Sequence, residues 1–322
     1  MPRFDLSPAE LRSYRPEVRE PADFDDFWRG TLRDHCPAGE PPTLVKADAR
    51  LALVDVWDVT FAGFDGHPIK AWLMLPRDAV GPLPGVVEFN GYGGGRGLPH
   101  ERLAWVNAGY AYLFMDTRGQ GSGWGSGGDT PDPAGSGPAS SGFMTRGIED
   151  PATYYYRRVF VDAVCAVAVL RGLPQVDPAR VAVTGGSQGG AITIAVAGLV
   201  DGLVAALPDV PFLCHFERAV GLTGSDPYHE VVRYLSVHRG LDEQVFTTLS
   251  YFDGVNFARR ASAPALFSVA HLDPICPPST VFAAFNHWAA DGSRIVEYSF
   301  NEHEGGGGWQ WPVQAEWLAA RV

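Results

Sequence analysis

With 322 residues, 46% of them hydrophobic, and a formal charge of -12, the chain has ample apolar material for a large core and an acidic surface. That charge, with no basic run anywhere, excludes the clustered Lys and Arg by which proteins hold nucleic-acid phosphates. Cys36, Cys165, Cys214 and Cys276 lie far apart and form no C-x-x-C pair, which excludes a zinc knuckle or redox motif and reads as four free thiols.

The first residues lack an apolar export segment, and no run of about 18 apolar residues occurs, so a cytoplasmic protein with no membrane partner is expected. Ser7-Pro8-Ala9-Glu10 is a capping-box pattern with proline at the first helical position, and a helix is predicted over 22–33. Residues 1–50 therefore read as an N-terminal arm. Over 51–61 and 69–75 polar and apolar residues alternate, with Gly63 to Gly66 between, which predicts an antiparallel hairpin.

Beyond it the pattern changes to short β-branched or aromatic runs at 86–89, 110–115, 181–184, 265–269 and 295–299. Helical stretches at 102–107, 152–173, 189–200, 280–290 and 313–321 separate most of them. The alternation predicts an α/β fold, a doubly wound and mainly parallel sheet, with the whole chain as one domain. Two insertions interrupt it: a Gly/Ser/Pro-rich stretch at 119–149, anchored by Trp124, Phe143 and Met144, and a helical stretch at 211–260.

Gly185-Gly186-Ser187-Gln188-Gly189 is a G-x-S-x-G pentapeptide between the run Arg180 to Thr184 and the helical stretch that follows, the context of a nucleophile elbow. A phosphate loop is excluded because Gly190-Ala191-Ile192 supplies no lysine. An elbow serine needs a histidine to take its proton and a carboxylate to fix that histidine's tautomer. Asp273 follows the run 265–269, and His303 follows the run 295–299 on a glycine-rich loop. The order Ser187, Asp273, His303 is that of α/β-hydrolases. His271 is the rival base, and Glu302 and Glu304 are rival carboxylates. His303-Glu304 is no zinc-peptidase motif, because position 307 is glycine, and no metal is expected.

Acyl transfer also requires donors for the oxyanion. The elbow supplies the Gln188 N–H, and Asn90-Gly91-Tyr92-Gly93-Gly94-Gly95, after the run 86–89, supplies the Tyr92 N–H. The glycine spacing of this loop does not fit the dinucleotide fingerprint.

Four segments then coincide: Arg118-Gly119-Gln120-Gly121, Gly185 to Gly189, Asp273 with Cys276-Pro277-Pro278-Ser279-Thr280, and His303-Glu304-Gly305-Gly306-Gly307. Together with Pro211 to Phe216 and Leu249 to Phe257, they resemble the acetyl xylan esterase and cephalosporin-C deacetylase family, carbohydrate esterase family 7. The resemblance implies an α/β-hydrolase fold, removal of acetyl groups from short xylo-oligosaccharides and cephalosporins, no cofactor, and a ring-like homohexamer. It makes Ser187 the nucleophile, Asp273 the orienting acid, His303 the base, and Tyr92 and Gln188 the oxyanion donors. Tyr92, Trp124, Pro227 and Ile275 would then line a small acyl pocket, and Arg118 would tie its loop to the elbow. Ala270-His271-Leu272 departs from the usual residues before the acid. An aminopeptidase-like hydrolase, with Asp226 or Glu217 anchoring an amine, is the nearest alternative, and a non-catalytic binding protein a remote one.

Overall fold

The computed structural model describes residues 3–37, 39–134 and 142–322, so residues 135–141 of the 119–149 insertion lie outside the described residues. The capping box forms as expected: Glu10 N–H donates to Ser7 Oγ, and Ser7 N–H donates to the Glu10 carboxylate. It opens helix α1 (Pro8–Ser13). Helix α2 (Phe24–His35) follows and buries Phe24 and Trp28. Strand β1 (Thr43–Ala47) precedes the predicted hairpin of β2 (Val54–Ala62) and β3 (Pro68–Pro76), which pairs antiparallel with Thr60 opposite Lys70.

The alternating region runs β4 (Leu83–Phe89), α3 (Ala104–Asn107), β5 (Ala111–Met115), α4 (Tyr155–Arg171), β6 (Val176–Gly186), α5 (Gln188–Leu199) and β7 (Ala205–Asp209). Helices α6 (Phe216–Leu222), α7 (Tyr228–Val237), α8 (Asp242–Ser250) and α9 (Gly254–Ala258) make up the helical insertion. Strand β8 (Leu266–Ala270), α10 (Pro278–Asn286), β9 (Arg294–Tyr298) and α11 (Gln310–Ala319) complete the chain.

The strands form one sheet in the order β1-β2-β3-β5-β4-β6-β7-β8-β9. Its β1-β2-β3-β5 edge is antiparallel, and every pairing from β5 through β9 is parallel. β5 and β6 lie on opposite sides of β4, so the strand order reverses there. The loops leaving the carboxyl ends of β4 and β6 are neighbours at that switch point, the usual place for a ligand crevice.

Period-2 alternation decides which side chains enter which layer. Val87, Phe89, Leu113 and Met115 pack on one face with Trp28, Phe160 and Phe257. Val86, Tyr112 and Phe114 pack on the other with Trp105, Trp317 and Leu318. Each such side chain fully buried contributes about 1.5–3 kcal/mol.

Three features depart from the sequence reading. β1 is an exposed edge strand with no alternation of burial. β7 is buried along most of its length and carries Pro208, so neither periodicity nor composition marks it. Cys36 and Cys165 are paired as a disulfide between the end of α2 and α4, so only the buried Cys214 and Cys276 are free thiols. Spacing along the chain carried no sign of that pairing, because the two positions are brought together only by the packing of α2 on α4. Among the described residues no helix is long and apolar enough to cross a membrane.

Candidate active site

Ser187 stands at the corner between β6 and α5 with φ 56 and ψ -115, a positive-φ conformation rare for a residue with a Cβ. The corner closes because its flanks are glycine. A Cβ at Gly189 would meet Phe89 O at 2.1 Å, and one at Gly185 would meet the Gly189 carbonyl carbon at 2.6 Å. The strained turn is held by Ser187 N–H donating to Asp209 O at 2.9 Å and by Phe212 N–H donating to Ser187 O at 3.0 Å.

Asp273, in the loop after β8, is fully buried, and its Oδ1 accepts the N–H groups of Ile275 and Cys276 at 2.8 and 2.9 Å. Its Oδ2 lies 2.8 Å from His303 Nδ1, and His303 Nε2 lies 3.0 Å from Ser187 Oγ. An ionised carboxylate can only accept, so this network assigns the Nδ1–H tautomer and leaves Nε2 to accept the serine proton. His271 is placed elsewhere: it is buried with Nε2 2.9 Å from Glu297. Glu304 accepts from Asn301 Nδ2 and Glu302 N–H and so caps its own loop.

Asp273, Cys276 and His303 also present ligand atoms within 4.8 Å of one another. Both ring nitrogens of His303 already face Asp273 and Ser187, so this cluster is accounted for without an ion. The Cys276 thiol is pushed well up, chiefly by burial and then by the Asp273 charge, and so stays a thiol.

The loop after β4 lies against the elbow. Asn90 Oδ1 accepts Gly91 N–H at 3.0 Å, Gln120 Oε1 accepts Gly93 N–H at 2.7 Å, and Trp124 Nε1–H donates to Tyr92 O at 2.7 Å. Gln188 opens α5, where a first-turn N–H has no intrahelical acceptor, and its buried side chain donates to Asn90 O at 3.2 Å. These bonds hold the Tyr92 segment against the start of α5, next to Ser187.

A cavity of about 480 Å³ opens over these groups. Ser187, His303, Tyr92, Trp124, Pro227 and Ile275 all line it, so every position expected in the acyl pocket is brought together. Asp226 lines it too, with its carboxylate 2.8 Å from Arg233, whereas Glu217 pairs with Arg19 away from the cavity.

Arg118 does not tie its loop to the elbow through its guanidinium. It is fully buried and donates to both Asp162 oxygens of α4, at 2.6 and 2.7 Å. The link falls to Gln120, which reaches Gln188, Gly93 and the Tyr155 hydroxyl. Sequence reasoning also missed Glu230 on α7. This buried carboxylate accepts from Tyr92 Oη–H at 2.7 Å and from Met144 N–H at 3.2 Å, joining the β4 loop, the insertion and α7. Burial raises its carboxyl above the usual range. Gln120 stood within the Arg118-Gly119-Gln120-Gly121 run that the resemblance rests on, whereas Glu230 carried no such signal.

Compared with known proteins, residues 1–321 match the family model for acetyl xylan esterase (AXE1). The chain belongs to the acetyl xylan esterase family. Among solved structures of that family, the acetyl xylan esterase from Paenibacillus sp. R4 is 39% identical with a TM-score of 0.90, covering 98% of this chain and 100% of that one. Acetyl xylan esterase 1 from Thermoanaerobacterium sp. JW/SL YS485 is 31% identical with the same TM-score, 0.90, covering 99% and 100%. The curated acetyl esterase Axe7A of Xylanibacter ruminicola is 26% identical over 90% of this chain, which spans 65% of that relative's length. An acylaminoacyl peptidase of Pyrococcus horikoshii, at 15% identity and TM-score 0.62 over 85% of this chain and 43% of that one, shares the α/β-hydrolase fold alone. This family member is thus built on the fold expected, which it shares with these acetyl xylan esterases.

Proposed function

We propose that the protein is a serine esterase that removes acetyl groups from short acetylated xylo-oligosaccharides and cephalosporin-type esters. The observation that carries this reading is the hydrogen-bonded line Asp273, His303, Ser187 ending in a cavity whose expected acyl-pocket residues are mostly apolar. His303 Nε2 takes the Ser187 proton as Oγ attacks the acetyl carbonyl, and Asp273 holds the Nδ1–H and stabilises the imidazolium that forms. The Tyr92 and Gln188 N–H groups receive the oxyanion, a contribution of about 10²–10³ in rate per donor in comparable sites. His303 then protonates the departing sugar hydroxyl, and water attacks the acyl-enzyme by the reverse of the same steps.

No step needs a cofactor. A homohexamer is part of the same reading and is tested by light scattering. The Asp226 carboxylate, paired with Arg233, is poorly placed to anchor a free amine, which speaks against an aminopeptidase. The deciding experiment is release of p-nitrophenol from acetate, butyrate and octanoate esters beside acetate release from acetylated xylo-oligosaccharide and cephalosporin C, with Ser187→Ala as control. Fast acetate turnover that collapses with chain length and vanishes in the variant is expected. Serine-independent turnover, or preference for octanoate, overturns the proposal.

A further inference from the structure

A second cavity, of about 250 Å³, meets the nucleophile from another side. Among the residues that line it and the main cavity, Ser187 and His303 alone are common to both, so the two spaces converge on the pair that would activate water. The second cavity is otherwise built from Gly186, Asp209, Val210, Ser268, the 304–307 loop and Gln310. Among the described residues no Phe, Tyr or Trp lines it, in contrast to the main cavity with Tyr92, Trp124 and Phe143.

Its polar wall is incompletely satisfied. Asp209 Oδ2 accepts from Gln314 Nε2 at 2.9 Å, and Gln310 Oε1 accepts from Tyr298 Oη–H at 2.6 Å. Asp209 Oδ1 and Gln310 Nε2 are buried and have no hydrogen-bond partner among the described residues. Gln310 and Ser268 act on the Asp209 carboxyl as nearby dipoles but neither closes a hydrogen bond on Oδ1. Buried polar atoms without protein partners are ordinarily satisfied by ordered water, which needs a polar site, room of about 30 Å³ per molecule and two to four partners. The second cavity has the room, and the Asp209 and Gln310 side chains belong to its lining.

We propose that this cavity holds and delivers the water that hydrolyses the acyl-enzyme, with Asp209 and Gln310 as its positioning residues. The inference rests on the serine-esterase reading above. While the acetyl group and the departing alcohol occupy the main cavity, water reaches the ester carbonyl from the Gly186 side. His303 Nε2 takes one water proton, the water oxygen bonds to the acyl carbon, the bond from that carbon to Ser187 Oγ breaks, and the proton passes from His303 to Oγ. Acetic acid and the free serine result, and the acid gives its proton to solvent to leave acetate. The arrangement separates the path of water from the path of the sugar.

The test is partition of the acyl-enzyme. With p-nitrophenyl acetate as donor, water competes with benzyl alcohol, an acceptor whose ring matches the Tyr92, Trp124 and Phe143 lining of the main cavity. Gln310→Leu removes the unpartnered donor, and Val210→Leu narrows the cavity. Both should raise the ratio of benzyl acetate to acetate about 3- to 10-fold while the first-turnover release of p-nitrophenol stays within about twofold, which also reports a folded site. An unchanged ratio in both variants overturns the inference, because water then arrives through the main cavity. Persisting turnover in Ser187→Ala overturns the esterase reading itself, whatever the ratio does.

Discussion

Gln120 and Gln188 face each other as a reciprocal amide pair: Gln120 Nε2 donates to Gln188 Oε1 at 2.8 Å, and Gln188 Nε2 donates to Gln120 Oε1 at 3.2 Å. Gln120 Oε1 also receives Gly93 N–H, the amide next to Tyr92, so one side chain sets the spacing of the two loops that present the Tyr92 and Gln188 amides. Gln120→Ala removes that spacer and leaves the buried Gln188 amide short of partners, at a cost of about 1–3 kcal/mol. Acetyl-ester kcat/KM should fall about 10- to 100-fold, mostly in kcat, since a donor misplaced relative to the oxyanion loses transition-state binding. Steady-state kinetics with urea unfolding separates the two losses. Destabilisation with kcat intact would assign Gln120 a structural part only.

Asp273→Asn tests the orienting role more sharply than alanine. The Ile275 and Cys276 N–H groups both donate to Oδ1, so an asparagine keeps those bonds with its Oδ1 and turns its NH₂ toward His303 Nδ1. His303 must then accept at Nδ1 and carry its proton on Nε2, where it cannot take the serine proton. A drop in kcat of about 10³–10⁴ with near-normal unfolding is expected, measured on p-nitrophenyl acetate. A variant retaining half the activity would remove Asp273 from the mechanism.

The positions of Ser187, Asp273 and His303 were legible because each sits in a loop directly after a β-branched run, and strand ends are fixed by local pattern. Burial on both faces of β7 erases alternation, and the Ala-rich approach to Pro208 resembles helix as much as strand. Arg118 was misplaced for a different reason. Its guanidinium could go to any carboxylate that tertiary packing offered, and that one is Asp162, far along the chain on α4. Glu230 and the Cys36–Cys165 pair share this property: their meaning lies in partners that only the fold supplies.

Asp209 makes stability depend on pH. Burial, aided by the charge of Glu88, raises its carboxyl from 3.8 to about 7, against the opposing dipoles of Ser268, Gln314 and Gln310. Between those values the folded chain keeps a proton that the unfolded chain has released, so stability falls as pH rises. The contribution is full below the unfolded value and lost on passing the folded one. Asp209→Asn is neutral throughout, and should gain on the wild type by a few kcal/mol at most between about pH 5 and about pH 8. Urea unfolding at both pH values measures it, and a difference between the two proteins that is independent of pH would contradict the raised carboxyl.

The Arg118–Asp162 pair should show strong coupling. Neither group is exposed, and Asp162 Oδ1 also accepts Phe64 N–H at 2.9 Å, tying α4 to the β2–β3 turn. Arg118→Met alone strands a buried charge and should cost about 3–5 kcal/mol, whereas Asp162→Leu leaves Arg118 paired with the buried Asp132 and should cost less. The double variant should cost well under the sum, because the second change removes the stranded partner. Chemical denaturation of the full cycle gives the coupling energy. Simple additivity would mean that the two side chains are independently solvated.

Trp124 is the residue at which acyl-chain length is best tested. Its ring is 49% exposed at the rim of the main cavity and packs so close to Gly94 that a Cβ there would meet Cζ2 at 2.4 Å. Its Nε1–H also fixes the Tyr92 carbonyl. Two effects are therefore superimposed, and two variants part them. Trp124→Ala removes both ring and donor, so acetate turnover should fall and the preference for acetate over butyrate should narrow about 10-fold, the scale set by one or two methylenes in an apolar pocket. Trp124→Phe keeps most of the ring but loses the N–H, so turnover should fall with the preference unchanged. If Trp124→Ala leaves the acetate-to-butyrate ratio where it was, the rim does not limit the acyl group, and Pro227 and Ile275 deeper in the lining become the residues to vary.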